Sequence, residues 1–256
     1  MDRTDGEADR VKTVDTALTI LETLQSMGSA RVTELADEVG VAKSTAHRHL
    51  ATLESREYVS QVGDEYRVSL RFLTLGEAAR TRDGHATVRP KVRELAERTE
   101  ERAQFFVEEH RKAVYVYREV GAHAVHAPHA TVGTRMPLHT SSGGKALLAS
   151  YSDERVREIL TAEGLPSLTD RTITDEAELF EELERTRERG YAINRQENVD
   201  GIRAVGVALT ATDGRPMGAL SVSGPIHRMN GEWFEEELPE LLLGTAKELE
   251  LNIAYA

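Results

Sequence analysis

Two sets of side chains in this chain have the chemistry to hold a charged partner. The first is Lys43, Ser44, His47 and Arg48, in the segment VAKSTAHRHLATL. Between them, Thr45/Ala46, His49/Leu50 and Leu53 recur with helical spacing. A helix here would bury one face and present cations, a hydroxyl and an imidazole on the other. Those groups contact phosphates and base edges of duplex DNA. Thr45 is read both ways, as part of the contact set or as half-buried. The second set is PLHTSSGGK (137–145), a hydroxyl- and glycine-rich loop predicted to run into a helix. Backbone N–H groups and the helix dipole favour an anion at such a start. Gly143 and Gly144 would let a ligand approach the backbone closely. Ser221 and Ser223 alternate with Val222 on a predicted strand, so both hydroxyls face one side.

Other constellations carry less chemistry. His123, His126 and His129 recur every third residue, with His139 further on. Their type suits zinc or nickel. On an extended strand, however, His126 points opposite to the other two, and no carboxylate lies within the stretch. No metal site is expected. His139 lies close to Ser141 and Ser142, but no G-x-S-x-G elbow accompanies them. The G-x-x-x-x-G-K-[ST] spacing of a phosphate-binding loop is absent, so Lys145 is left to snorkel or to pair with a carboxylate. Glu178–Glu188 reads as a solvated helix face with i,i+4 charge pairs. Trp233 and Phe234 are expected to anchor a core or an interface. The expectation is therefore no enzymatic activity and no cofactor.

The elements that position the first set follow from hydrophobic spacing. Val32, Leu35, Ala36 and Val39 predict a helix that Gly40 ends, capped by Thr33 or Ser29. Val14, Ala17, Leu18, Leu21 and Leu24 predict another over Val11–Met27. After the third helix come Tyr58–Ser60, Gly63-Asp64 and Tyr66–Val68, a strand, a tight loop and a strand. Three helices and a hairpin make a winged helix-turn-helix. Arg67 on the wing, Lys12 near the first helix and Thr33 complete the expected DNA-contact set.

A helix with a narrow apolar stripe is expected over Leu70–Arg80, then a polar junction with Gly84 and Pro90. This helix is read either as the last of the winged unit or as a dimer contact as well. The expected domains are 1–69, a linker helix at 70–83, and 84–256. In the last, hairpin strands alternate with charged amphipathic helices, which predicts an α+β domain on a mostly antiparallel sheet.

Composition bounds the rest. The 256 residues include no cysteine, which excludes disulfides and thiolate chemistry. No apolar run approaches the roughly 18 residues of a membrane span, and the acidic N-terminus is not a secretory signal. The expected location is the cytoplasm. The net charge of −12 sits mostly outside the winged unit. Residues 1–82 carry 11 basic and 14 acidic groups, and residues 83–256 carry 21 and 30. Local field can then still favour DNA. With 6 lysines among 32 basic residues, the chain is also similar to proteins adapted to high internal salt.

Four stretches together resemble the IclR family of transcription regulators: VDTALTILETL, the winged motif, Pro137–Ala149, and Glu188–Pro225. The resemblance runs from about Val11 to Ala254. It implies an N-terminal winged helix-turn-helix and a C-terminal GAF-like effector domain that binds a small metabolite, often a carboxylate. It also implies a homodimer or homotetramer acting on a palindromic double-stranded operator to control catabolic genes. By resemblance the effector contacts are Ser142, Gly143, Asn194, Ala204, Ser221 and Ser223. Asn194 stands where many relatives have an acidic residue, and Ala204 where many have cysteine, so the pocket carries over but not its ligand. The alternative is a small-molecule-binding or enzymatic α+β protein whose N-terminal helices contact other proteins.

Overall fold

The computed structural model describes residues 10–124 and 131–255. The chain divides into two compact units, Met1–Thr81 and Arg82–Ala256. The first holds helices α1 (Lys12–Met27), α2 (Val32–Val39), α3 (Lys43–Ser55) and α4 (Arg71–Arg80). Between them run strands β1 (Ala30–Arg31), β2 (Val59–Val62) and β3 (Glu65–Val68). Gly40, at φ +72°, takes the left-handed conformation that ends α2 and turns the chain into α3. Gly63, at φ +64°, does the same for the β2–β3 hairpin. The wing has a third strand, since Ala30 pairs with Tyr66 in an antiparallel sheet of order β1-β3-β2. Ile20, Leu24, Leu35, Leu50, Val59 and Tyr66 form the core of this unit.

Two local expectations are corrected. Neither Thr33 nor Ser29 caps α2. The Glu34 carboxylate accepts the Arg31 N–H at 2.8 Å, while Ser29 donates to Glu65 at 2.7 Å. The carboxylate at the third helical position reaches back to the N–H of Arg31, the residue that precedes the helix. The apolar stripe of α1 is also only partly interior. Ile20 and Leu24 are fully buried, but Val14 and Leu18 are 55% and 53% exposed. The apolar sector of this helix is wider than the core it packs against.

The second unit begins with a 3-10 turn, Arg82–Thr87, and α5 (Arg89–Thr99). Strands β4 (Arg102–Glu109), β5 (Lys112–Val120) and β6 (Arg135–Pro137) follow. Helices α6 (Ser142–Ala149), α7 (Asp153–Glu163) and α8 (Glu176–Arg189) come next. The chain closes with β7 (Ala192–Arg195), β8 (Ile202–Thr210), β9 (Pro216–Pro225) and α9 (Leu238–Ala254). The strands form one antiparallel sheet of order β6-β5-β4-β9-β8-β7.

Strand alternation divides the interior into two cores. Phe105, Val205, Val207, Leu220 and Val222 pack with α5 and α9 on one face. Phe106, Tyr115, Ala192 and Ala219 pack with α6, α7 and α8 on the other. A β5 bulge opposite Phe105/Phe106 puts Tyr117 across from Phe105 and Tyr115 across from Phe106. Two tyrosines two residues apart therefore enter different cores. The charged helix α8 is not a solvated face throughout. Leu179, Leu183 and Thr186 are buried, and the Glu182 side chain, 12% exposed, turns inward toward Lys145.

Candidate functional site

The outer face of α3 carries the expected nucleic-acid contacts. Lys43, Ser44, His47 and Arg48 are exposed, and Ala46 and Leu50 hold the opposite face in the core. Thr45 is half-buried. The N-cap is Ala42, which offers no side-chain acceptor, and the first turn holds no acidic residue. The α3 start therefore keeps its positive dipole end available to a phosphate. Lys12 and Thr33 are exposed at the starts of α1 and α2. Arg67 is exposed on β3, its Nε donating to Ser60 Oγ at 3.3 Å. Sequence reasoning missed Arg31, whose Nε lies 2.9 Å from Asp64 and ties the start of α2 to the wing tip.

The second unit contains a cavity of about 520 Å³ on the α6 face of its sheet. Cross-strand register explains its lining. Asn194 pairs with Ala204, Ala204 with Ser223, and Ser223 with Arg102. All four residues of this row line the cavity. In the next row Gly206 pairs with Ser221, and Ser221 with Gln104. A Cβ on Gly206 would strike the Ser142–Gly143 peptide, so α6 seats its first turn directly on β8. That contact places Ser142 Oγ 2.9 Å from Ser221 Oγ inside the cavity. Gln104 Nε2 donates to Ser223 Oγ at 3.4 Å. Phe106, Tyr115 and Met136 add an apolar wall.

Five of the six residues that the resemblance implies line this cavity, and Gly143 does not. A Cβ at Gly143 would enter the Phe106 ring, and one at Gly144 would overlap the Leu138 carbonyl. These glycines leave room for the Phe106 ring and the Leu138 backbone. Asn194 lines the cavity, but its amide is engaged. It donates to the Thr140 carbonyl at 2.6 Å and accepts from the N–H groups of Gln196 and Glu197 at 3.1 and 3.2 Å. It positions the 196–201 segment at the cavity rim.

Lys145 pairs rather than snorkels. Its side chain is 1% exposed, with Nζ 2.6 Å from Glu197 and 3.6 Å from Glu182. Burial raises the Glu197 pKa and Lys145 opposes that shift. Thr172 donates to the Glu197 carbonyl, and Thr169 to that of Gln196, so the 165–172 loop is fastened to the same rim.

Arg102, Gln104, Phe106 and Tyr115 were not expected at the site. The available signal was period-two alternation, which sets Arg102 and Gln104 on the face that Phe106 shares. Arg102 is 7% exposed. Burial, then the nearby charge of Arg118, lowers its pKa from the ordinary value, and it stays cationic at neutral pH. Burial pushes the Tyr115 hydroxyl up to about 12, which keeps it a neutral donor.

His123 is exposed with Nδ1 2.8 Å from Glu100, and His126 and His129 lie outside the described residues. His139 is buried with Nε2 3.1 Å from the Pro166 carbonyl, away from any serine partnership. Among the described residues no group of three metal-ligating side chains comes together.

Comparison with known proteins agrees with this architecture. Residues 13–63 match the IclR helix-turn-helix domain, and residues 77–251 match the bacterial transcriptional regulator IclR C-terminal domain. The transcriptional repressor IclR of Escherichia coli is 31% identical over 248 residues, covering 94% of this chain and 90% of that protein. The probable regulator ArcR of Halobacterium salinarum is 30% identical over 258 residues, covering 98% and 97%. The crystal structure of Thermotoga maritima IclR superposes with a TM-score of 0.81 at 26% identity, covering 96% of this chain and all of that one. The two units described above, matched over nearly their whole length, place this chain in the IclR family of DNA-binding transcription regulators.

Proposed function

We propose that this regulator senses a small metabolite, a carboxylate or a sugar-derived ligand, and thereby controls catabolic genes. The observation that carries the reading is the cavity of about 520 Å³, with hydroxyls and an amide set among apolar walls. That size and mixture fit a small-molecule site. Ser142, Ala204, Ser221 and Ser223 serve as effector contacts, and Asn194 holds the rim. On the DNA side, Lys43, Ser44, Thr45, His47 and Arg48 enter the groove, and Lys12, Thr33 and Arg67 hold phosphates.

The functional species is a homodimer or homotetramer on a palindromic operator in the cytoplasm. Exposed apolar side chains support association. Val14 and Leu18 on α1 are exposed, and so, at the start of α4, are Leu70 and Leu73, at 81% and 68%. Among the described residues, no helix is long and apolar enough to cross a membrane. Effector binding shifts the population between two dimer geometries through α4, which alters the spacing of the two α3 helices.

The test is a gel-shift titration on DNA upstream of the regulator's own gene, repeated over a range of salt. One preferred palindrome with a steep salt slope is expected. A thermal-shift screen with central-metabolism acids and sugars runs beside it. No DNA binding at any salt, together with turnover of a metabolite, would overturn the reading.

A further inference from the structure

Asn230 and Gly231 meet at the turn that leads from β9 into the closing helix. Of the four asparagines in the chain, Asn230 is the one followed by glycine, and the others precede Arg195, Val199 and Ile253. Both residues of the Asn230–Gly231 step are exposed. Gly231 has φ +62°, and a Cβ built on it would meet nothing within 4 Å, so the surroundings of this peptide are open. Gly231 also opens the helical run that continues through Trp233–Glu237 into α9, where the first N–H groups have no partner within the helix. Among the described residues no acceptor takes the Gly231 N–H. The comparable Asp-Gly steps differ. Gln196 Oε1 takes the Gly201 N–H after Asp200 at 2.9 Å, and the Ala211 carbonyl takes the Gly214 N–H after Asp213 at 2.9 Å.

We propose that Asn230 is a site of spontaneous deamidation, which turns it into aspartate and isoaspartate without an enzyme. Hydroxide removes the Gly231 N–H proton, and the nitrogen attacks Asn230 Cγ. The new N–Cγ bond closes a five-membered succinimide. The Cγ–Nδ2 bond breaks, and that nitrogen takes a proton from water and leaves as ammonia. Water then adds to either ring carbonyl. Opening at Cγ gives aspartate, and opening at the backbone carbonyl gives isoaspartate, with an extra methylene in the main chain. One water is consumed and one ammonia released, with no change in oxidation state. The positive end of the helix dipole lies at Gly231 and stabilises the anion on its nitrogen. The product loses two hydrogen bonds. Asn230 Nδ2 donates to the His227 carbonyl at 2.7 Å and to the Ile226 carbonyl at 3.2 Å, and a carboxylate in its place repels both. Those bonds close the turn whose Arg228 holds Glu101 and the His123 carbonyl. Met229 in the same turn is fully buried, and its carbonyl accepts from Arg203. Deamidation therefore loosens the joint between β9 and the closing helix.

The experiment is timed incubation of the full chain at mildly alkaline and mildly acidic pH, followed by tryptic mass mapping. Cleavage after Arg228 and Lys247 gives the peptide 229–247, in which Asn230 is the one side-chain amide. That peptide is expected to gain about 1 Da, to split into two chromatographic forms, and to accept label from protein isoaspartyl methyltransferase. The gain is faster at the alkaline pH. Its rate in the folded chain lies within about tenfold of that of the synthetic peptide 229–247. Asn230→Gln abolishes the gain over the same period. Asn230→Asp carries the charge of the product without ageing and melts below wild type. Aged wild type develops a lower-melting fraction with the time course of the mass gain. No mass gain in the folded chain, or a rate further below that of the peptide, would show that the fold shields the amide and would overturn the site. An Asn230→Asp variant that melts with wild type would overturn the loosening of the turn.

Discussion

Lys145 Nζ lies 2.6 Å from Glu197 Oε2, and the two side chains are only 1% and 7% exposed. This pair, with Glu182 on the far side at 3.6 Å, joins α6, α8 and the rim of the cavity. Removing the cation strands the buried Glu197 carboxylate, whereas Glu182 keeps Arg185 and Arg189. Lys145→Met should cost about 3–5 kcal/mol in urea unfolding of the second unit. Adding Glu197→Leu should recover a good part of that, because it removes the stranded charge. A double variant as unstable as the sum of the singles would show that the two side chains act independently.

His139 sets a pH dependence. Its pKa is held below the ordinary 6.5 by burial, which outweighs the opposing Pro166 hydrogen bond, with a still smaller lowering from Lys145. A lowered folded value means that the unfolded chain binds the proton first. The contribution is complete above pH 6.5 and is lost as pH falls from 6.5 through the folded value. Glu109 and Glu182, whose pKa values are lowered from 4.5, act in a more acidic window. His139→Gln keeps a donor for Pro166 and removes the titration. Its urea midpoint should stay flat where that of wild type declines, and parallel curves would refute the assignment.

Arg48 lies on the exposed face of α3. Arg48→Ala should weaken operator binding by about 1–3 kcal/mol without altering the unfolding midpoint. A fall in the salt slope of about one would mark a phosphate contact, and a loss confined to one base pair would mark a base contact. Normal binding by the folded variant would mean that another face reads the DNA.

Two glycines make opposite tests of packing. An added Cβ at Gly206 meets the Ser142–Gly143 peptide, whereas at Gly244, within α9, it meets nothing within 4 Å. Gly206→Ala should destabilise by about 1–3 kcal/mol through overpacking. Gly244→Ala should stabilise by about 0.5–1 kcal/mol. Thermal melts of the two variants that moved in the same direction would contradict the described seating of α6.

Hydrophobic period and turn chemistry made most elements legible in the sequence. Gly40, Gly63 and Gly190 mark ends that the structure places in the left-handed region. Partners that depend on long-range register were not legible. Arg102 and Ser223 are 121 residues apart and meet only because β4 and β9 lie side by side. Sequence separation also hid the Lys145–Glu197 pair, whose members are 52 residues apart. Local reasoning recognised a lysine after two glycines and could not see which carboxylate would turn toward it. The protein atoms that lie against Gly143 and Gly144 were not legible for a related reason. A glycine permits close approach, and the sequence does not say which part of the chain does the approaching.

The transverse row Asn194–Ala204–Ser223–Arg102 has a consequence for how such proteins diversify. Each member sits on a strand whose neighbouring residues, such as Ile193, Val205, Val222 and Ala103, point into the opposite core. A replacement at Ala204 or Arg102 rewrites the chemistry of one wall and leaves that other core intact. Chemical preference can thus drift at Ala204 while Asn194, whose amide holds the rim, stays fixed. For the same reason, Ala204 is a practical starting point for altering the chemistry of this cavity.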